Sequence, residues 1–412
     1  MTTVKPFDGY LVKSRFADQV VSPAYDSVSP VQRRKFAEKN PDNFLNTMRL
    51  LEDFSPDHQP THKELLELNR SNLQRLLDNG FFSYLATPCL FIYQLITGEH
   101  VQTGLVCEVG VEEYEQNRLR KHENTRSDKE DLLAEYQKVV GASSSPICLT
   151  YEQNNNIDEI MKKYSEHEAD LKFVSEDGVK QKIWCVKDPE QQQEFITLFK
   201  SVDVTYLTDG HHRAASGRRY AEIMREEKGN RGDEPYNQLL VALFPDSQLN
   251  LLPFHRCVKD SNGLSETELV KVLEQDFEVT DLGEIDLFQP DQHGEFGMLI
   301  SNKWFKLNIK MGREESSNPV NSLDVSILQT SILDPILGIK DIRSDSRLDY
   351  IAGVSGVDGI RQKMKEGWEI TFTCYATSIE QLMNVADADE LMPPKSTYFD
   401  PKPRSGIFVR LK

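Results

Sequence analysis

Five consecutive residues, Asp209-Gly210-His211-His212-Arg213, carry the densest chemistry in this chain. The stretch before them, Val202 to Leu207, reads as a buried strand, and the composition after them is helical. Glycine at 210 permits a tight turn or a positive φ. Asp209 is placed to cap the helix by accepting hydrogen bonds from its first N–H groups. Orphan N–H groups at a helix start, joined by His211, His212 and Arg213, form a site for an anion. A phosphate gains there from the helix dipole and from a planar guanidinium. The alternative reading of the same residues is a capped helix with surface histidines.

Three further polar clusters stand out. Arg120-Lys121-His122-Glu123-Asn124-Thr125-Arg126 lies between a strand and a helix. Either His122 or Glu123 can serve there as a general base, or Arg120 and Arg126 can grip an anion; the alternative is a solvated loop. Ser22-Pro23-Ala24-Tyr25-Asp26 offers Asp26 as an acid–base or metal-binding carboxylate, against a structural Asx-turn. Near the end, Pro393-Pro394-Lys395-Ser396-Thr397 and Pro401-Lys402-Pro403-Arg404 read as a rigid loop presenting Lys395 and Arg404. The alternative is an ordered connection before a closing strand.

The elements that must position these groups are well punctuated. Ser29-Pro30-Val31-Gln32, Thr61-x-x-Glu64, Ser127-x-x-Glu130, Ser265-x-x-Glu268 and Thr377-x-x-Glu380 read as helix starts, and Asp188-Pro189 opens another helix. Cys89–Ile96 and Val101–Val109 flank Thr97-Gly98-Glu99-His100, a hairpin pattern, and Asp177-Gly178 marks a second hairpin. Asn237–Phe244 is apolar enough for a central strand. Hairpins mixed with helices imply an α+β fold with a mixed sheet and flanking helices. A composition shift at 246–248 divides the chain into regions 1–245 and 246–412, the second expected to close the site.

The balance of 48 basic against 66 acidic residues argues against broad binding to nucleic acid or anionic membrane. No apolar stretch approaches a membrane span, and Met1 to Tyr10 lacks a secretory h-region. Six scattered cysteines, with no C-x-x-C pair, fit reduced core thiols in a cytoplasmic protein. The P-loop, dinucleotide-binding, H-E-x-x-H and G-x-S-x-G patterns are absent.

Read together, six motifs resemble those of a widespread family in the ParB/sulfiredoxin-like superfamily. They are Pro6-Phe7, Pro23-x-Tyr25-Asp26, Asn46-x-x-Arg49-Leu50, His122-Glu123-x-Thr125, Asp209 to Arg213, and Met392-Pro393-Pro394-Lys395-Ser396-Thr397-x-Phe399 followed by Pro401-Lys402. The resemblance implies a ParB/sulfiredoxin-like core with large additions. It also implies kinship with the ADP-dependent free serine kinase, whose Asp-Gly-His turn is similar to Asp209-Gly210-His211. Sulfiredoxin carries a nucleophilic cysteine in the related turn, and this chain has none there. The expected activity is phosphoryl transfer on a small hydroxyl metabolite, serine or phosphoserine, in the kinase or phosphatase direction. Gly210, His211, His212, Arg213, Arg120, Lys395 and Arg404 would bind phosphate or nucleotide. Glu123, Asp26, His122 and Asp209 would serve catalysis, with Asp209 as a magnesium ligand and ADP or ATP as co-substrate. A ParB-like nucleotide-dependent nucleic-acid protein and a non-catalytic phospholigand sensor are the competing readings.

Overall fold

Thr97 and His100 face each other across the two-residue loop Gly98-Glu99, with Gly98 at a φ of 56°. That is the geometry in which a tight hairpin matches strand twist. The computed structural model, which describes residues 1–25, 28–310 and 317–412, is built outward from this hairpin. Its strands, Phe82–Thr97 and His100–Gly110, lie in a twelve-stranded sheet. The main path of that sheet runs Leu119–Arg120, Thr205–Asp209, Ile147–Tyr151, Gln238–Pro245, His100–Gly110, Phe82–Thr97, Phe7–Val12, Phe408–Leu411 and Ala142–Ser143. Thr205–Asp209 pairs parallel with Leu119–Arg120 and antiparallel with Ile147–Tyr151. Gln238–Pro245 pairs parallel with Ile147–Tyr151 and antiparallel with His100–Gly110. The sheet is therefore mixed, as the interleaved hairpins and helices required.

Both faces of this sheet are covered. Phe91, Tyr93 and Leu95 enter one apolar cluster, and the alternate residues Leu90 and Ile92 enter the other. Alternation of side chains along a strand makes that division automatic. All eight residues of Gln238–Pro245 are buried, the mark of a strand sandwiched between layers.

The chain divides into two units, Met1–Leu249 with Pro401–Lys412, and Asn250–Asp400. The last twelve residues, expected in the region from 246 onward, are therefore part of the first unit. The second unit has its own antiparallel sheet, ordered Phe277–Gly283, Lys303–Ile309, Glu295–Ile300, Ile370–Cys374, Phe254–Val258 and Leu348–Ala352. A separate core lies against it, with Phe277, Phe296, Leu307 and Phe372 at its centre.

Helix starts follow local chemistry closely. Reciprocal capping boxes form at Ser29/Gln32, Thr61/Glu64 and Ser265/Glu268. Two expectations shift. Ser127 is already inside its helix, whose cap is Arg126, and Glu130 instead receives the Thr125 hydroxyl. The last box forms one residue later, at Ser378/Gln381, because the Thr377 hydroxyl donates to the Ser396 carbonyl at 3.2 Å. All six cysteines are free thiols, five of them buried. Among the described residues no helix is long and apolar enough to cross a membrane.

Candidate functional site

The strand Thr205–Asp209 is buried throughout and ends in an irregular register. Leu207 faces Leu149 but Asp209 faces Cys148, so the chain bulges at Thr208, whose hydroxyl donates to the Cys148 carbonyl at 3.1 Å. A bulge of this kind re-aims the side chain that follows it. Gly210 then turns the chain with φ 93° and ψ 31°, and the helix His211–Lys228 begins. A Cβ at 210 would also stand 3.0 Å from the Arg213 guanidinium. Gly210→Ala therefore meets both left-handed strain of about 1–2 kcal/mol and a displaced arginine. Thermal unfolding should register a larger loss for Gly210→Ala than for Gly98→Ala, where a Cβ meets nothing within 4 Å.

Asp209 does not cap this helix. Its Oδ2 receives Arg213, and its Oδ1 lies 2.5 Å from the Lys402 ammonium. The N-cap is Gly210, no side chain caps the first turn, and no acidic residue lies in it. A magnesium ion at Asp209 would have to compete with two cations, so the carboxylate does not fit the role of metal ligand. No group of three or more His, Cys, Asp or Glu side chains among the described residues is placed to hold a metal.

Arg213 is equally committed. Besides Asp209, its guanidinium donates to the carbonyls of Ser145 at 3.1 Å and Pro146 at 2.6 Å. It ties the turn to the loop entering Ile147–Tyr151 and does not extend as a free fork. Lys402 arrives between two prolines, which hold the backbone extended. Its neighbour Arg404 turns elsewhere, pairing with Asp177 of the second hairpin, while its backbone N–H donates to the Tyr93 hydroxyl at 3.3 Å. Lys395 lies in the second unit, its ammonium 5.3 Å from the centroid of the Phe254 ring and its own φ at 57°. The cluster at 401–404 was legible, but its site-facing member is Lys402 rather than Arg404. Only the paired prolines around Lys402 could have distinguished the two.

The polar run after Leu119–Arg120 meets the turn directly. Arg120 pairs with Tyr206 in register, beside the strand that delivers Asp209. His122 and His211 pack edge to face, with ring centroids 4.5 Å apart. Glu123 Oε2 stands 3.8 Å from His211 Nδ1. His211 Nε2 is buried and has no hydrogen-bond partner, and His212 Nδ1 is in the same condition. Arg126 remains on the surface, paired with Asp128. Two motifs almost ninety residues apart thus supply one constellation. Tyr25 lies in another cluster, donating to Asp53 Oδ2 at 2.8 Å; Asp26 lies outside the described residues.

A family model described as protein of unknown function (DUF1015) matches residues 4–326. The chain belongs to the DUF1015 family. None of the curated proteins matches this DUF1015 chain. Among solved structures it is similar to free serine kinase in complex with AMP, at 12% identity and a TM-score of 0.36, covering 74% of this chain and 91% of that one. A conserved hypothetical protein from Pyrococcus furiosus is similar at 12% identity and a TM-score of 0.35, covering 74% and 95%. C-terminally truncated SbnI from Staphylococcus aureus is similar at 10% identity and a TM-score of 0.39, covering 74% and 87%.

Electrostatics revise the role expected of the histidines. Burial, then the neighbouring His211, lowers His122 to about 3. Burial, then His212, Arg213, Lys121 and Lys402, lowers His211 to about 3. Both imidazoles of this DUF1015 chain are neutral at pH 7, so neither adds positive charge to the anion site. Their folded values lie below the unfolded value near 6.5, and the unfolded chain binds protons that the folded chain refuses. The stability this contributes is complete above about pH 6.5 and is lost as pH falls toward 3. Urea midpoints at pH 7.5 and 5.5 should differ accordingly; equal midpoints would mean that the rings take up protons in place.

Proposed function

We propose that this chain is a phosphoryl-transfer enzyme acting on a small hydroxyl metabolite, serine or phosphoserine, with ADP or ATP as co-substrate. The observation that carries the reading is the uncapped start of the helix His211–Lys228 beside a buried imidazole whose Nε2 has no hydrogen-bond partner. Backbone N–H groups there, with the helix dipole behind them, receive phosphate oxygens. Lys402 and Arg213 hold the turn through Asp209 and add positive charge close to it. Phosphoryl transfer asks for positioning and charge neutralisation more than for covalent chemistry, and these groups supply both.

His211 and His122 enter as neutral hydrogen-bonding groups. A bound phosphate would offset the cations that help depress His211, so its basicity rises with substrate in place. Glu123 brings a second carboxylate to the constellation, partly exposed and 3.8 Å from His211 Nδ1. It is placed to accept the hydroxyl proton. The resemblance of Asp209-Gly210-His211 to the turn of the free serine kinase supports the same reaction class. The net charge of −18 weighs against the nucleic-acid alternative.

The test is a thermal-shift screen with serine, phosphoserine, ADP, ATP and CTP, with and without magnesium, followed by a turnover assay on the ligands that stabilise. At least one nucleotide should raise Tm in the wild type, and His211→Ala should abolish the shift while leaving the chain folded. No nucleotide shift, or a shift unchanged in His211→Ala, would reject the site. A shift without turnover of any phosphorylated ligand would favour the sensor reading.

A further inference from the structure

A cavity of about 430 Å³ opens in the first unit and shares no residue with the constellation around Gly210. Strand register fixes its place. Asp209 faces Cys148 near the start of Ile147–Tyr151, whereas Pro245 faces Tyr151 at its end. The turn Asp246–Gln248, which follows Pro245, and the hairpin loop Gly98-Glu99 therefore lie at the opposite end of these strands from Gly210. Two walls enclose the cavity. One is the helix Asn155–Ser165, whose residues Asp158, Met161 and Lys162 share a face by helical spacing. The other is the hairpin, with Gln94, Val101 and Thr103, continued by Gln248.

Polar contacts brace both walls. Strand pairing stops at Leu105 and Leu243, and Gln248 Oε1 then accepts the Thr103 N–H at 2.7 Å. Gln94 Nε2 donates to the Thr103 hydroxyl at 3.0 Å. Gln153 joins helix to turn: its N–H donates to Asp246 Oδ1 at 2.9 Å, and its Nε2 to Asp158 Oδ2 at 2.8 Å. Each bond uses one end of a side chain. The Gln248 amide NH₂, the Gln94 carbonyl oxygen and Asp158 Oδ1 bond to no described residue. Charge is left open as well. Asp158 and Lys162 stand four residues apart on one helix, a spacing at which acid and base ordinarily pair. They form no ion pair, and the Lys162 ammonium bonds to no described residue. One cavity thus offers a cation, an amide NH₂, a carboxylate oxygen and an amide carbonyl, with Met161 and Val101 as apolar surface. Its volume lies within the range of about 300–1,000 Å³ typical of small-molecule sites, where a few polar groups orient the ligand against an apolar lining. A ligand that answers both charges is a zwitterion, and the apolar surface suits an aliphatic side chain.

We infer that this cavity binds a free aliphatic α-amino acid, its carboxylate on Lys162 and Gln248 and its ammonium on Asp158 and Gln94. The inference does not rest on the reaction proposed for the turn. The experiment is calorimetric titration of the full chain with L-leucine, which should bind saturably. Isocaproate, which lacks the ammonium, and leucinamide, which lacks the carboxylate, should each bind at least about tenfold more weakly. Lys162→Met and Asp158→Asn should each weaken L-leucine at least about tenfold, since each removes one of the two charges. Lys162→Met breaks no side-chain hydrogen bond, and Asp158→Asn keeps an acceptor for Gln153, so both variants should unfold at the wild-type urea midpoint. Titration of His211→Ala should match the wild type, which keeps failure of the turn separate from failure of the cavity. Absence of saturable binding, a loss smaller than tenfold in either variant or with either analogue, or weaker binding in His211→Ala overturns the inference.

Discussion

Asp209→Ala is expected to destabilise the first unit by about 3–5 kcal/mol, the range for removing one member of a buried ionic group. The carboxylate is 9% exposed and answers Lys402, 13% exposed, and Arg213 at once. Removing it takes the shared carboxylate from two cations that are largely shielded from water. Arg213 keeps its carbonyl acceptors at Ser145 and Pro146, whereas Lys402 loses its ion pair with Asp209. The loss should be partly recovered in Asp209→Ala/Lys402→Met, where the ammonium that faced the carboxylate is gone as well. A double-mutant cycle by urea unfolding should give a coupling of about 1–3 kcal/mol. If Asp209→Ala unfolds within 1 kcal/mol of the wild type, the carboxylate does not organise the turn.

The second large effect is kinetic. Glu123→Gln keeps the shape of the side chain and removes its ability to take a proton. On the reading proposed here, turnover of the hydroxyl substrate should fall by about 10²–10⁴, the usual contribution of a positioned acid–base group. Nucleotide affinity should change by less than about threefold, since Glu123 touches the imidazole rather than the helix start. Single-turnover rates and equilibrium titration separate the two quantities. Equal losses in both would move Glu123 from proton transfer to binding.

Much of the scaffold could be read before any coordinates. Hairpins at Gly98 and Gly178 and the apolar strand at 238–245 depend on local chemistry that sequence displays directly. Gly210 was legible for the same reason: its turn needs a positive φ, and few residues but glycine provide one. The partners of the charged groups were not legible. Arg213 looked like a free fork, yet it is consumed by the loop at 145–146, which only the strand order of the sheet brings beside it. Asp209 looked like a cap, but Lys402, 193 residues onward, competes for it. The protonation of the histidines was not legible because composition carries no record of burial, and burial is the leading reason both are neutral.

The return of Pro401–Lys412 to the first unit has a consequence for synthesis. During translation the strand bearing Asp209 leaves the ribosome long before Lys402 exists. The whole of Asn250–Asp400 must be made before the ammonium that answers Asp209 is available. A nascent chain stalled anywhere in that interval holds an acidic turn without its lysine, so competence at the turn is acquired only after the inserted unit has been made.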